Sequence, residues 1–148
     1  MENAVFFETI TQTKSNVYIL PMIFILVIIA ALFAGIIFAA KNTSIAIKDN
    51  MLVINSFIYG RKIPIENILT NEIKTINLKT DKEYGVQIRT NGIALPGFVS
   101  GWMRLKNGKK ALVFLTNPEN VLLIPTNDFL VMFSMKKTDE FIDKIISR

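Results

Sequence analysis

The sequence predicts a mainly β domain of antiparallel sheet, preceded by one membrane-spanning helix and covered by a short C-terminal helix. Three observations carry this. Residues 18–40 form an uninterrupted apolar run, residues 44–133 alternate apolar and polar side chains between turn signals, and the chain after Thr138 changes to helical spacing. The predicted division is therefore a flank at 1–17, a transmembrane helix at 18–40 and a domain at 41–148.

The run YILPMIFILVIIAALFAGIIFAA, Tyr18 to Ala40, has no charge, Asn or Gln. As a helix it is about 35 Å long, enough for a hydrocarbon core of about 30 Å. It is apolar on every side, which suits lipid better than a globular core. A buried core helix and a cleaved signal peptide, with Ala39 and Ala40 at the cleavage point, are the alternatives. The run is long for a signal peptide, and the 17 residues before it carry Glu2 and Glu8 but only Lys14 as a basic residue. Lys41 and Lys48 follow the run, with Arg61 and Lys62 beyond, so the positive-inside rule places the C-terminal domain in the cytoplasm.

Ser44–Asp49 and Met51–Ser56 read as a first hairpin about an Asp49-Asn50 corner, with Ile45 and Ile47 on one side. Phe57–Ile63 reads as a third strand, ended by the turn IPIENI. Lys74–Lys79 and Tyr84–Thr90 each have one wet face, and Asn91-Gly92 and Pro96-Gly97 mark a loop. In WMRLKNGKKALVFLT, Asn107-Gly108 separates two alternating runs, a strong hairpin signal because both residues tolerate positive φ. Val121–Thr126 and Phe129–Phe133 complete eight or nine strands. Thr138 is placed to cap a last helix with Asp139 and Glu140 in its first turn, Phe141, Ile142, Ile145 and Ile146 on its apolar stripe, and Lys144 and Arg148 at its end.

The stretches IKDNMLVINSFIYGRKIPIENI (47–68) and GWMRLKNGKKALVFLTNPENVLLIPT (101–126), with the closing FIDKII, resemble the opening hairpin, Ile-Pro turn, later hairpin and final helix of bacterial pleckstrin-homology (PH) domains. The chain is similar to small membrane-anchored members of that family. The resemblance implies a PH-like antiparallel barrel, or two orthogonal sheets, capped by the helix. Its motifs are core and turn residues and not a catalytic signature, so they speak to fold more than to function. Phosphoinositide-binding relatives carry several basic residues on the first hairpin; here the turn at Asp49-Asn50 has only Lys48 beside it, which argues against inositol phosphates.

Composition excludes much chemistry. With no Cys and no His, thiolate and imidazole catalysis and the usual zinc sites are absent. Glu66, Glu72, Asp81 and Glu83 sit in turn segments, where carboxylates usually stay wet. Ser100, in VSGW, lacks both a nucleophile elbow and a base. No catalytic, cofactor or metal site is expected.

Residues 41–148 contain 16 Lys and Arg against 10 Asp and Glu, a net charge of +6. The best-placed cations are Arg104, Lys106, Lys109 and Lys110 about the 107–108 turn, with Arg61-Lys62 and Lys136-Lys137 as smaller pairs. They either meet anionic headgroups or simply keep the sheet soluble. Trp102 shares a face with Arg104 and Lys106, and is either a contact aromatic or core, depending on register. Phe57, Tyr59, Phe114, Phe129 and Phe133 are expected in the core, which leaves no stacking platform for nucleic acid. The expected role is a non-enzymatic, membrane-tethered adaptor that recruits a protein partner, with an anionic-lipid sensor using the basic hairpin as the alternative.

Overall fold

The computed structural model describes residues 18–147; the expected flank 1–17 and Arg148 lie outside them. Helix α1 spans Ile19–Lys41. Its segment Ile19–Phe38 is long and apolar enough to cross a membrane, and none of it is buried against protein. The compact C-terminal unit begins at Phe38.

That unit holds two sheets. Strands β1 (Ser44–Lys48), β2 (Met51–Asn55) and β3 (Arg61–Pro64) form an antiparallel three-stranded sheet. Strands β4 (Lys74–Ile76), β5 (Val86–Leu95), β6 (Phe98–Leu105), β7 (Lys110–Leu115), β8 (Val121–Pro125) and β9 (Leu130–Ser134) form a six-stranded sheet in the order β4-β8-β9-β7-β6-β5. Helix α2 is Thr138–Ile146. Of the two expected forms, barrel or two sheets, the structure has two sheets, with no strand pairing among the described residues closing them into a barrel. Side chains and loops connect them instead: the Tyr59 hydroxyl donates to Asn91 Oδ1 at 3.1 Å, and on the other flank Leu69 N donates to Pro125 O and Asn127 N to Asn67 O.

The predicted antiparallel pattern has one exception. β9 folds back antiparallel on β8 and then pairs parallel with β7, inserting itself between them.

Apart from Lys110 and Ser134 at their ends, the strands of the large sheet's centre are apolar throughout because both of their faces are covered. Leu112, Phe114, Leu122, Ile124, Val131 and Phe133 pack with Leu52, Ile54 and Ile63 of the small sheet and Ile145 of α2. Ala111, Val113, Leu115, Val121, Leu123, Leu130 and Met132 point the other way and pack with Ile76, Met103 and Leu105. This second core shows that the large sheet curls over itself, as does the Lys74 ammonium of β4, 5.0 Å from the Tyr84 ring just before β5.

Turn chemistry set the first hairpin as expected: Asp49 and Asn50 both have positive φ, at 51° and 59°, and join Lys48 to Met51 in a two-residue turn. The second hairpin differs in detail. Only Gly108 is left-handed, at φ 80°, while Gly108 N donates to Leu105 O and Leu105 N to Lys109 O. This is a longer loop in which glycine supplies the one positive φ.

Four expectations need correction. The third strand begins at Arg61, not Phe57, because residues 56–60 turn too sharply to pair; a Cβ on Gly60 would stand 2.8 Å from Ser56 O. Consequently Phe57 is 79% exposed and is not core. Asn91-Gly92 is not a loop but lies inside β5, where Gly92 opposes Gly101 and two register shifts bend the strand. Thr138 does not cap α2: Lys137 occupies the cap position without a side-chain bond, and Thr138 is buried as the first helical residue.

Candidate functional site

The candidate site grows from the crossing of β5 and β6. A Cβ on Gly101 would stand 2.5 Å from Asn91 O and 2.6 Å from Gly92 Cα, and one on Gly92 would stand 2.4 Å from Ser100 O. Only a pair of glycines allows this approach. Gly101 takes φ +116°, and the Tyr59 ring covers it. Trp102 follows directly, opposite Asn91 on one side and Leu112 on the other. The Thr90 hydroxyl donates to Trp102 O at 2.9 Å.

The indole is half-buried against the inter-sheet core. Phe129 meets it edge-on, with centroids 5.0 Å apart and planes at 76°. Two cations lie over it: the Arg61 guanidinium 4.9 Å from the ring centroid and the Lys110 ammonium 4.4 Å away. Arg61 is also 6.0 Å from the Phe129 ring. Each such contact contributes about 0.5–1 kcal/mol where solvent is near. Arg104 is exposed and pairs in register with Lys110. Thr90, Asn91, Trp102, Arg104 and Lys110 line an open groove of about 410 Å³.

The five residues expected to form a contact surface therefore separate. Trp102, Arg104 and Lys110 come together. Lys106 instead lays its stem beside Gly85, in a turn tied down by Lys106 N to Gly85 O and Asn107 N to Glu83 O. Lys109 lines a neighbouring groove that it shares with Lys110, Glu72 and Asp128. Arg61 and Phe129 complete the site. The Arg61-Lys62 pair was visible in the sequence, but its approach to Trp102 crosses between sheets and has no local signal.

Among the described residues, carboxylates pair with Lys79 and Lys137; none pairs with Arg61, Arg104 or Lys110. The platform presents three cations and an aromatic edge, with no ion pair to a carboxylate among the described residues.

Among the described residues, the candidate catalytic groups are not gathered in a comparable way. Ser100 is fully buried, and its hydroxyl has no partner among the described residues. A hydrogen bond to Tyr84 raises the Lys74 amine above its ordinary value, away from the depressed value a nucleophilic lysine needs. Lys79, hydrogen-bonded beside it, lowers the Glu119 carboxyl, which leaves it a weaker base. Asp81 is engaged in its own turn, accepting from Asn77 N at 2.9 Å. No group of three or more potential metal-ligating residues occurs among the described residues.

The family model of the bacterial PH domain matches residues 43–148. The chain belongs to the bacterial PH-domain family. Its PH domain thus covers both sheets and α2, and α1 precedes it. No curated protein and no solved structure matches the chain. PH-like domains are in general non-catalytic binding modules, and this bacterial PH domain has the Trp102 platform where a ligand can reach it.

Proposed function

We propose that the protein is a non-enzymatic adaptor, held at the cell membrane by α1, whose PH domain recruits a protein partner through an acidic segment laid across Trp102. The observation carrying this reading is the placement of Arg61 and Lys110 over one half-buried tryptophan, with Arg104 lining the same groove and no carboxylate among the described residues paired with any of the three. Aromatic and arginine side chains in a partly desolvated patch are typical anchors of protein interfaces. Tethering raises the effective concentration of any partner that is itself at the membrane, so a weak contact suffices. An anionic-lipid surface is the second reading. It is favoured by Arg61, which begins β3 at the end of the small sheet where the chain leaves α1.

Trp102 is the single tryptophan of the chain and reports directly on its own site. The full chain in nanodiscs of neutral lipid should show a saturable change in Trp102 emission with a soluble poly-glutamate peptide. Arg104→Glu with Lys110→Glu should abolish it. A change produced by anionic lipid in the disc, and no response to peptide, would replace the adaptor with the lipid sensor. No response to either would remove both.

A further inference from the structure

We infer that the β2–β3 loop is a second membrane contact, with Phe57 and Ile58 inserted into the lipid interface beside the end of α1. The inference rests on the reading of α1 as a membrane span.

Phe57 is 79% exposed and Ile58 49% exposed, side by side at the tip of one loop. Isolated apolar residues on a surface are ordinary, but folding alone gives no reason to hold an adjacent phenyl and sec-butyl group in water. The loop's position supplies one. Asn42, the residue after α1, lines an open groove of about 430 Å³ together with Asn55, Ser56 and Phe57. The Thr43 hydroxyl donates to Ser56 Oγ at 3.3 Å, fixing the loop against the start of the domain.

Chain connectivity then sets the depth. The candidate span ends at Phe38, four residues before Asn42, which is about 6 Å of helical rise. A side chain packed beside Asn42 is thus within reach of the boundary between headgroups and acyl chains, the depth at which interfacial apolar side chains settle. The loop SFIYG carries no charge, and Arg61 and Lys62 follow it immediately. An apolar tip with a basic collar fits a lipid surface: the tip enters the acyl boundary and the collar meets phosphates.

The test uses the full chain, which has no native cysteine, reconstituted one copy per nanodisc in neutral lipid. Single cysteines at Phe57→Cys, Ile58→Cys, Lys48→Cys and Leu26→Cys each carry an environment-sensitive fluorophore. Lys48 is at the far end of β1, about 13 Å from its start. The expected result is blue-shifted emission at 57 and 58, quenched by lipids brominated near the headgroup. The label at 48 stays water-like, and the label at 26 is quenched by lipids brominated near the chain ends. Water-like emission at 57 and 58 with lipid quenching at 26 overturns the inference and leaves the span standing. Water-like emission at 26 as well overturns the span reading. A blue shift at 57 that bromolipids do not quench, and that appears only when two copies share a disc, overturns the inference in favour of self-contact.

Discussion

Gly101 and Gly108 both adopt positive φ, yet substitution should cost very different amounts. At Gly108, φ is +80° and a Cβ meets open space, so Gly108→Ala should cost about 1 kcal/mol of backbone strain. At Gly101, φ is +116° and the new methyl would stand 2.5 Å from Asn91 O and 2.9 Å from the Tyr59 ring. Strain and overpacking each cost about 1–3 kcal/mol, so Gly101→Ala should lose at least ~2 kcal/mol in urea unfolding. It should also shift Trp102 emission, because Trp102 is the next residue. Trp102 itself shows where local reading ends. Period-2 alternation put it with Arg104 on one face correctly, but which face met the core depended on Arg61 of β3 and on Phe129 just before β9, which no neighbouring residue announces.

At the scale of elements, the strands differ in how deeply they are held. β8 is buried at all five positions, whereas β5 is an exposed edge bent by two register shifts. Leu122→Ala, removing a fully buried side chain from the inter-sheet core, should cost about 2–5 kcal/mol. Ile88→Ala on β5, where the side chain is 55% exposed, should stay within about 0.5 kcal/mol. Amide exchange should follow the same order, with β8 and β9 protected to the level of global unfolding and β5 opening locally. Both hairpins were legible from Asp49-Asn50 and Asn107-Gly108 because turn preference is a property of adjacent residues. Asn91-Gly92 misled for the same reason: the dipeptide looks like a turn, but Gly92 is required by Gly101 across the strand pair. Phe57 misled because an aromatic in a β-rich stretch is usually core, and only the tight approach of Gly60 to Ser56 reveals the loop.

For the whole molecule, the proposed arrangement makes a topological prediction. With more basic residues after α1 than before it, the PH domain should lie in the cytoplasm. A single cysteine at Asn107, an exposed turn residue, should resist a membrane-impermeant thiol reagent in intact cells and react after permeabilisation. Reaction in intact cells would move the domain, and the search for its partner, to the other side of the membrane. The sheet-plus-helix architecture was legible because the long apolar run, the turn residues between short β-rich stretches and the helical spacing after Thr138 are all local signals. The open seam between the sheets and the parallel β7–β9 pair were not, since strand order is decided by contacts distant in sequence.

That strand order also fixes a timetable for synthesis. β9 emerges last of all the strands yet occupies the middle of the large sheet, between β8 and β7. Without Leu130–Ser134 the large sheet can form only as two separate ribbons, β4 with β8 and β5 with β6 and β7, each with an unpaired inner edge. Vectorial assembly from the N-terminus therefore cannot complete the domain. A released chain ending just before Leu130 would present two adhesive edges at once, and a short extended peptide matching LVMFS is the natural plug for both.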